Sequence, residues 1–367
     1  MIYPPAAFRT RAMRPRLALY GRRASFTLVE LMVVISIIGV LASAVMMAMY
    51  GVMEQAKVVR TKAQIAKLHE LIMVKWQSYN ARTLRVTLPQ MPQPSSGPPR
   101  RWPVIPETFV DGNGNGKWDT GETYTDQNGN GVYDSGTARI RLDRLRDLMR
   151  MELPDRISDL AGTPAALWPG AMPAPSLWLS YRRRADVAIK AKHGATASWT
   201  DPTKWTDSHR GAECLYLIIS SIREGDQRGI DFFKDSEIGD IDDDGMLEIL
   251  DAWGQPIEFL RWPAGYDSEV QPLDANIAAD SFDPHHVDTR ATYRLIPLIY
   301  SSGPDRRYDI LIDDPGGTPI FYNLTDPPND PYVPSPGSSW IGTRMDSDMN
   351  GEINYTDNIT NHLLDES

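Results

Sequence analysis

Between Glu30 and Glu54 the sequence runs for 23 residues without a charge. At about 1.5 Å per residue such a helix is longer than a bilayer hydrocarbon core of about 30 Å. A chain with this stretch must place it in lipid or cover it with other helices. Residues 1–25 hold six Arg and no acid, so the rest of the chain carries 32 Lys+Arg against 48 Asp+Glu. A basic leader before an acidic body sets the orientation by the positive-inside rule. The expectation is a single-pass membrane protein with a cytoplasmic N-terminus and a C-terminal region on the far side of the membrane. The apolar run exceeds the roughly 7–15 residues of a secretory h-region, and no A-x-A site with a polar mature start closes it.

The helical pattern outlasts the membrane. Glu54–Tyr79 contains neither Pro nor Gly. Ile65, Leu68, Ile72, Trp76 and Tyr79 follow 3/4 spacing, as do Val52, Ala56, Val59, Ala63 and Ala66. This predicts one helix over 26–84, with 26–50 transmembrane. Seven Pro between Pro89 and Pro106 then break it. Residues 85–210 read as a Pro/Gly-rich insertion containing one amphipathic helix over 139–152, with Ile140, Leu142, Leu145, Leu148 and Met149 facing in. Residues 163–210, rich in Trp, Pro and Ala, give no readable period. Residues 212–222 are a buried helix or strand. Short strands over 248–261, 292–300 and 308–312 make 211–367 a β-rich region. The fold class is α+β: a long N-terminal helix, a small antiparallel sheet and a loop-rich insertion.

Glu30 lies inside the apolar run. A carboxylate there costs several kcal/mol unless a cation meets it at the same depth. Cleavage before Phe26 creates such a cation, an α-amino group four residues from Glu30, and in a bundle of identical helices the pair can form between neighbours. Arg22-Arg23-Ala24-Ser25, then Phe26-Thr27-Leu28-Val29-Glu30, then the uncharged helix, resemble the type IV pilin-like proteins, including the pseudopilins of type II secretion. The resemblance implies that a prepilin peptidase cuts between Ser25 and Phe26 and methylates the new amine. It implies assembly through Glu30 and Phe26, with other pilin-like subunits and an inner-membrane assembly platform as partners beside membrane lipid. Ser25 stands where that family usually has Gly. Met13 offers a second start that still keeps Arg14, Arg16, Arg22 and Arg23.

A second resemblance covers about 60 residues. Asp251-Ala-Trp253-Gly254-Gln255-Pro256 and Ser301-Ser302-Gly303-Pro304-Asp305 look like the C-terminal sheet of the major pseudopilins. It implies a strand after the Trp-Gly-Pro turn and a calcium-binding segment opened by the Ser-Gly-Asp loop, with Asp305, Asp309, Asp313 and Asp314 as its acids.

Four acidic loops share one spacing. They are Asp111, Asn113, Asn115, Lys117, Asp119 and Glu122; Asp126, Asn128, Asn130 and Asp134; Asp240, Asp242, Asp244, Met246, Glu248 and Asp251; and Asp346, Asp348, Asn350, Glu352, Asn354 and Asp357. Oxygen side chains at positions 1, 3, 5 and 9 with Gly at 6 follow EF-hand loop logic, in which one tight turn gathers oxygens around a hard cation. Lys117, Met246 and Glu352 occupy position 7, which donates a backbone carbonyl. The expected cofactor is structural Ca2+, bound most strongly by the Asp240 loop because it carries most acids. The loops read as isolated sites, since none is flanked by two clear helices.

Other chemistry is sparse. One Cys excludes a disulfide framework and a Cys-based zinc site. A net charge of −10 argues against nucleic acid as a partner. His285-His286 with Asp280, Asp283 and Asp288 reads as a solvated loop before a metal site. No nucleophile elbow or phosphate loop appears, so no catalytic residue and no enzyme activity are expected. The resulting expectation is a structural subunit of a type II secretion pseudopilus-like filament. The alternatives are a minor type IV pilin or filament-tip subunit, and a membrane-tethered hydrolase or binding domain.

Overall fold

The computed structural model describes residues 27–84, 103–112, 118–127, 131, 133–161, 174–288, 292–312, 332, 340–345 and 354–364. The chain divides into two compact units, one ending at Met53 and one beginning at Glu54. Helix α1, Leu28–Ser78, belongs to both, and a 3-10 turn, Tyr79–Ala81, ends it. The expected helix spans 26–84; residue 26 lies outside the described residues, and the α-helix ends at Ser78.

In the first unit every described side chain is exposed, including Leu28, Ile35, Ile38, Leu41 and Met47. In the second unit α1 buries Thr61, Gln64, Ile65, Leu68, Leu71, Ile72 and Trp76, and Tyr79 follows. That is the anticipated stripe. The other spaced set, Val52, Ala56, Val59, Ala63 and Ala66, is exposed.

The segment expected to be a loop-rich insertion supplies helices to the core of the second unit. They are α2, Thr137–Glu152; α3, Ile157–Ala161; and α4, Ser176–His193. All five apolar residues named for α2 are buried. Four of its five arginines are buried too, and acids from other elements meet two of them: Arg146 bonds Asp288 at 3.2 Å and Asp280 at 3.4 Å, and Arg150 lies 3.8 Å from Asp159. Helix α4 buries Trp178, Tyr181, Ala185 and Ile189 at helical spacing. Burying a large side chain of this kind gains roughly 1.5–3 kcal/mol, so α4 is part of the core rather than an appendage.

Residues 212–222 resolve as helix α5, Arg210–Ile219. Its first turn sits against the sheet. The Ala212 N–H donates to Glu258 Oε2 at 3.0 Å, satisfying a donor that a helix start leaves open. A Cβ on Gly211 would fall 2.7 Å from Glu258 Oε2 and Phe259 O, so only glycine permits this approach.

The strands are shorter than expected. β1, Arg223–Glu224, pairs with β2, Gln227–Arg228; β3, Ile238–Gly239, pairs with β4, Glu248–Ile249. β5, Glu258–Leu260, β6, Leu298–Ser301, and β7, Ile359–Thr360, form an antiparallel sheet in the order β5-β6-β7. Residues 308–312 form no strand and contribute one isolated bridge, Ile310 to Arg344. Helix α5 packs on β4 and β5, and this contact positions the acidic centre described below.

Candidate functional site

The start of α1 is a capping box. The Glu30 N–H donates to Thr27 Oγ1 at 3.2 Å, while the Thr27 N–H and hydroxyl both donate to Glu30 Oε2 at 3.1 Å. The sequence Thr-x-x-Glu encodes this reciprocal arrangement. Both bonds from Thr27 fall on one carboxylate oxygen, so the box places Glu30 at the helix N-terminus with its Oε1 outside that pair. Ser25 and Phe26 lie outside the described residues.

The Asp240 loop connects β3 to β4. Gly245 has φ +102°, the left-handed conformation that position 6 requires. Asp240 folds the turn by accepting from the Asp244 N–H at 3.0 Å and the Gly245 N–H at 3.1 Å. Asp244 accepts from the N–H groups of Met246 and Thr206, each at 2.9 Å. Asp242 Oδ2 accepts from the Thr206 hydroxyl at 2.5 Å, and Glu248 Oε2 from the Ile241 N–H at 3.1 Å. Met246 buries its side chain. Lys192 pairs with Asp240 at 3.4 Å and with Asp243.

Two overlapping sets of carboxylates converge here. Asp240, Asp242 and Asp244 offer oxygens within 4.8 Å of one another, and so do Glu213, Asp242 and Glu248. Among the described residues no other group of three does so. Burial pushes the Glu248 carboxyl up to about 8, with Asp242 and Asp240 adding to the effect. Burial also drives Glu213 well above the usual carboxylate range and raises Asp244. Glu213 comes from α5 and was not among the sequence candidates. Its only sequence signal is an acid inside the apolar run Ala-Glu-Cys-Leu-Tyr-Leu.

Asp251, the expected twelfth position of that loop, makes its bonds outside it. Its Oδ2 accepts from the Ser301 hydroxyl at 2.6 Å, and its Oδ1 from the N–H groups of Trp253 at 2.8 Å and Gln255 at 2.9 Å. Asp251 therefore holds the Trp-Gly-Pro turn and ties it to the Ser301 loop. That turn docks on α1 within the second unit, where Trp253 Nε1 donates to Glu54 at 2.8 Å.

The remaining loops are built differently. Glu122 is occupied by the N–H groups of Gly112 at 2.7 Å and Asp119 at 3.0 Å. Asp126 accepts from the Gly131 N–H at 2.6 Å, and Asp134 is buried beside Glu107. Glu107, also missed in the sequence, spans the second loop by accepting from the Gln127 and Asp134 N–H groups. Asp111 starts the first loop, whose Asn113, Asn115 and Lys117 lie outside the described residues, as do Asn128, Asn130, Asp346, Asp348, Asn350 and Glu352. Asn354 begins a short 3-10 turn ending at Asp357, whose Oδ2 accepts from the Asp305 N–H at 3.4 Å. Asp313 and Asp314 are outside the described residues. The His285-His286 loop assembles no metal cluster, since Asp280 and Asp288 pair with Arg146 and Asp283 caps its own turn. Cys214 is fully buried in the core.

Residues 21–46 match the family described as the prokaryotic N-terminal methylation motif. The chain carries the signature of type IV pilins and pseudopilins. Glu30 and its capping box lie within that matched stretch. Two relatives, from Chlamydia muridarum (strain MoPn / Nigg) and Chlamydia trachomatis serovar D, are each named "Putative outer membrane protein". Each is 36% identical over 59 residues, which is 16% of this chain and 48% of the relative. The chain thus spans about half the length of the curated relatives it matches. No solved structure matches it. The helix is long and apolar enough to cross a membrane. Together these observations describe a membrane-anchored, pilin-like chain with a separate folded unit after the anchor.

Proposed function

We propose that this pilin-like chain is a structural subunit of a type II secretion pseudopilus-like filament. The observation that carries the reading is the methylation motif at 21–46, with Glu30 held by Thr27 at the start of an apolar helix whose side chains are all exposed over Leu28–Met53. A prepilin peptidase removes residues 1–25 and leaves Phe26 with a methylated amine. The anchor then sits in the inner membrane with the folded unit on the periplasmic side. On assembly the apolar helices pack together, and Glu30 of one subunit receives the amine of its neighbour. In low dielectric such a charge-assisted pair is strong, while an unpaired carboxylate is costly. Calcium stabilises the periplasmic unit.

Mass spectrometry of the mature N-terminus tests the reading. The expected peptide begins at Phe26 and carries one added methyl group, and Ser25→Gly is processed at least as well. A retained leader, or a mature end elsewhere, in cells with active prepilin peptidase contradicts it.

A minor or tip subunit is the second reading. The helices α2 to α4 favour it, because they enlarge the folded unit and share its core. A minor subunit would cap few filaments, so its copy number per filament separates the two.

A further inference from the structure

Helix α5 and the Asp240 loop meet around three carboxylate oxygens that have no hydrogen-bond partner: Glu213 Oε1, Asp242 Oδ1 and Glu248 Oε1. Glu213 and Glu248 are fully buried. A buried acceptor that has lost water and found no donor is costly, and three carboxylates facing one another also repel. The neighbouring cationic side chains are directed elsewhere: Lys192 to Asp240 and Asp243, and His209 to Glu258 at 2.9 Å. Each of the three residues spends its other oxygen on a local bond, from Trp205, Thr206 and Ile241, and the three carboxyl groups converge, with one oxygen of each within 4.8 Å of one oxygen of each of the others.

We propose that Glu213, Asp242 and Glu248 bind a calcium ion, with Asp240 and Asp244 adjoining, and that this ion clamps α5 to the β3–β4 hairpin. The donor set is oxygen alone, which suits a hard cation rather than zinc or copper. Several carboxylates packed at irregular angles suit calcium, which accepts six to eight oxygens, whereas magnesium demands octahedral geometry and retains waters. The site departs from the linear loop motif. Position 12 of the motif, Asp251, closes a turn, and the closing carboxylate comes from Glu213 on another element. The proposal rests on the filament reading only for the calcium concentration that the domain meets; binding itself is a property of the purified chain.

The test uses the full chain purified in detergent, stripped with chelator and titrated with calcium. Thermal melting and terbium emission excited through tryptophan are the readouts. Trp205 Nε1 donates to Glu213 at 2.5 Å, so a lanthanide in this site lies beside an indole. Calcium should raise the melting temperature and displace terbium. Glu213→Gln and Glu248→Gln keep their shape and lose a charge, and each should weaken binding by about tenfold or more. Asp251→Asn should retain both the calcium shift and the terbium signal, even from a lower starting temperature. If Glu213→Gln does not fold, Asp242→Asn on the half-exposed loop decides by the same criteria. The proposal is overturned if the wild type shows neither response, if Glu213→Gln binds like the wild type, or if Asp251→Asn abolishes binding. Equal stabilisation by magnesium overturns the choice of ion. Calcium binding with a wrong mature N-terminus would remove the filament reading and leave this site standing.

Discussion

The two halves of α1 share one helix and differ in what satisfies them. From Glu54 onward, one stripe from Thr61 to Trp76 is buried by the chain's own core, and polar residues such as Arg60 and Lys67 find acids in Glu237 and Glu224. From Leu28 to Met53 no side chain is covered. The first half is apolar all round, with no stripe that could distinguish core from solvent. A helix of that kind belongs in lipid or among other helices. The comparison separates two roles: the second half holds the fold, and the first half serves membrane and assembly.

That division can be broken by substitution. The largest stability effect should come from Trp76→Ala, in the second half. Trp76 is 4% exposed and packs edge-on to Phe282 with centroids 5.3 Å apart. Its loss should cost about 3–5 kcal/mol in denaturant unfolding of the detergent-solubilised chain. Calcium removal should come next. Binding only to the folded state contributes about 2.7 kcal/mol at a hundredfold excess over the dissociation constant, a melting shift on the order of 5 °C for a unit of this size. Ile38→Ala, in the first half, should change the unfolding of the folded unit by less than about 0.5 kcal/mol. A loss comparable to Trp76→Ala would show that the first half also supports that unit. The smallest effect should be that of Glu122→Gln on the calcium-dependent shift, which should not change, because both Glu122 oxygens already accept backbone N–H groups.

How much of this could be read in advance follows the same contrast. Helix α1 is legible because no Gly or Pro interrupts Glu54–Tyr79 and because 23 uncharged residues leave few alternatives. Helix α4 is not, since four core positions sit between Pro-rich and Trp-rich flanks that hide the period. The sheet is announced by its turns, but its strands are two to four residues long, shorter than any alternation can reveal. The acidic loops show the limit of spacing. The same positions produce a hairpin that occupies its own Glu122 and a loop that leaves carboxylates open. Spacing marks the turn; tertiary contacts choose the ligands, and Glu213 enters from a helix that no local motif points to. The capping box went unread in the sequence although Thr27-x-x-Glu30 carries its spacing.

That box supplies the most direct test of the central claim, that Glu30 pairs by charge with a neighbour's amine. Gln at the same position keeps the capping box and loses the charge, whereas Val loses both. Tagged wild-type chain is expressed together with untagged wild type, Glu30→Gln or Glu30→Val, cross-linked in membranes and captured through the tag. All three should reach the membrane, and both variants should be recovered far less than the wild type. Recovery of Glu30→Gln at the wild-type level would contradict the account and leave Glu30 as a helix cap.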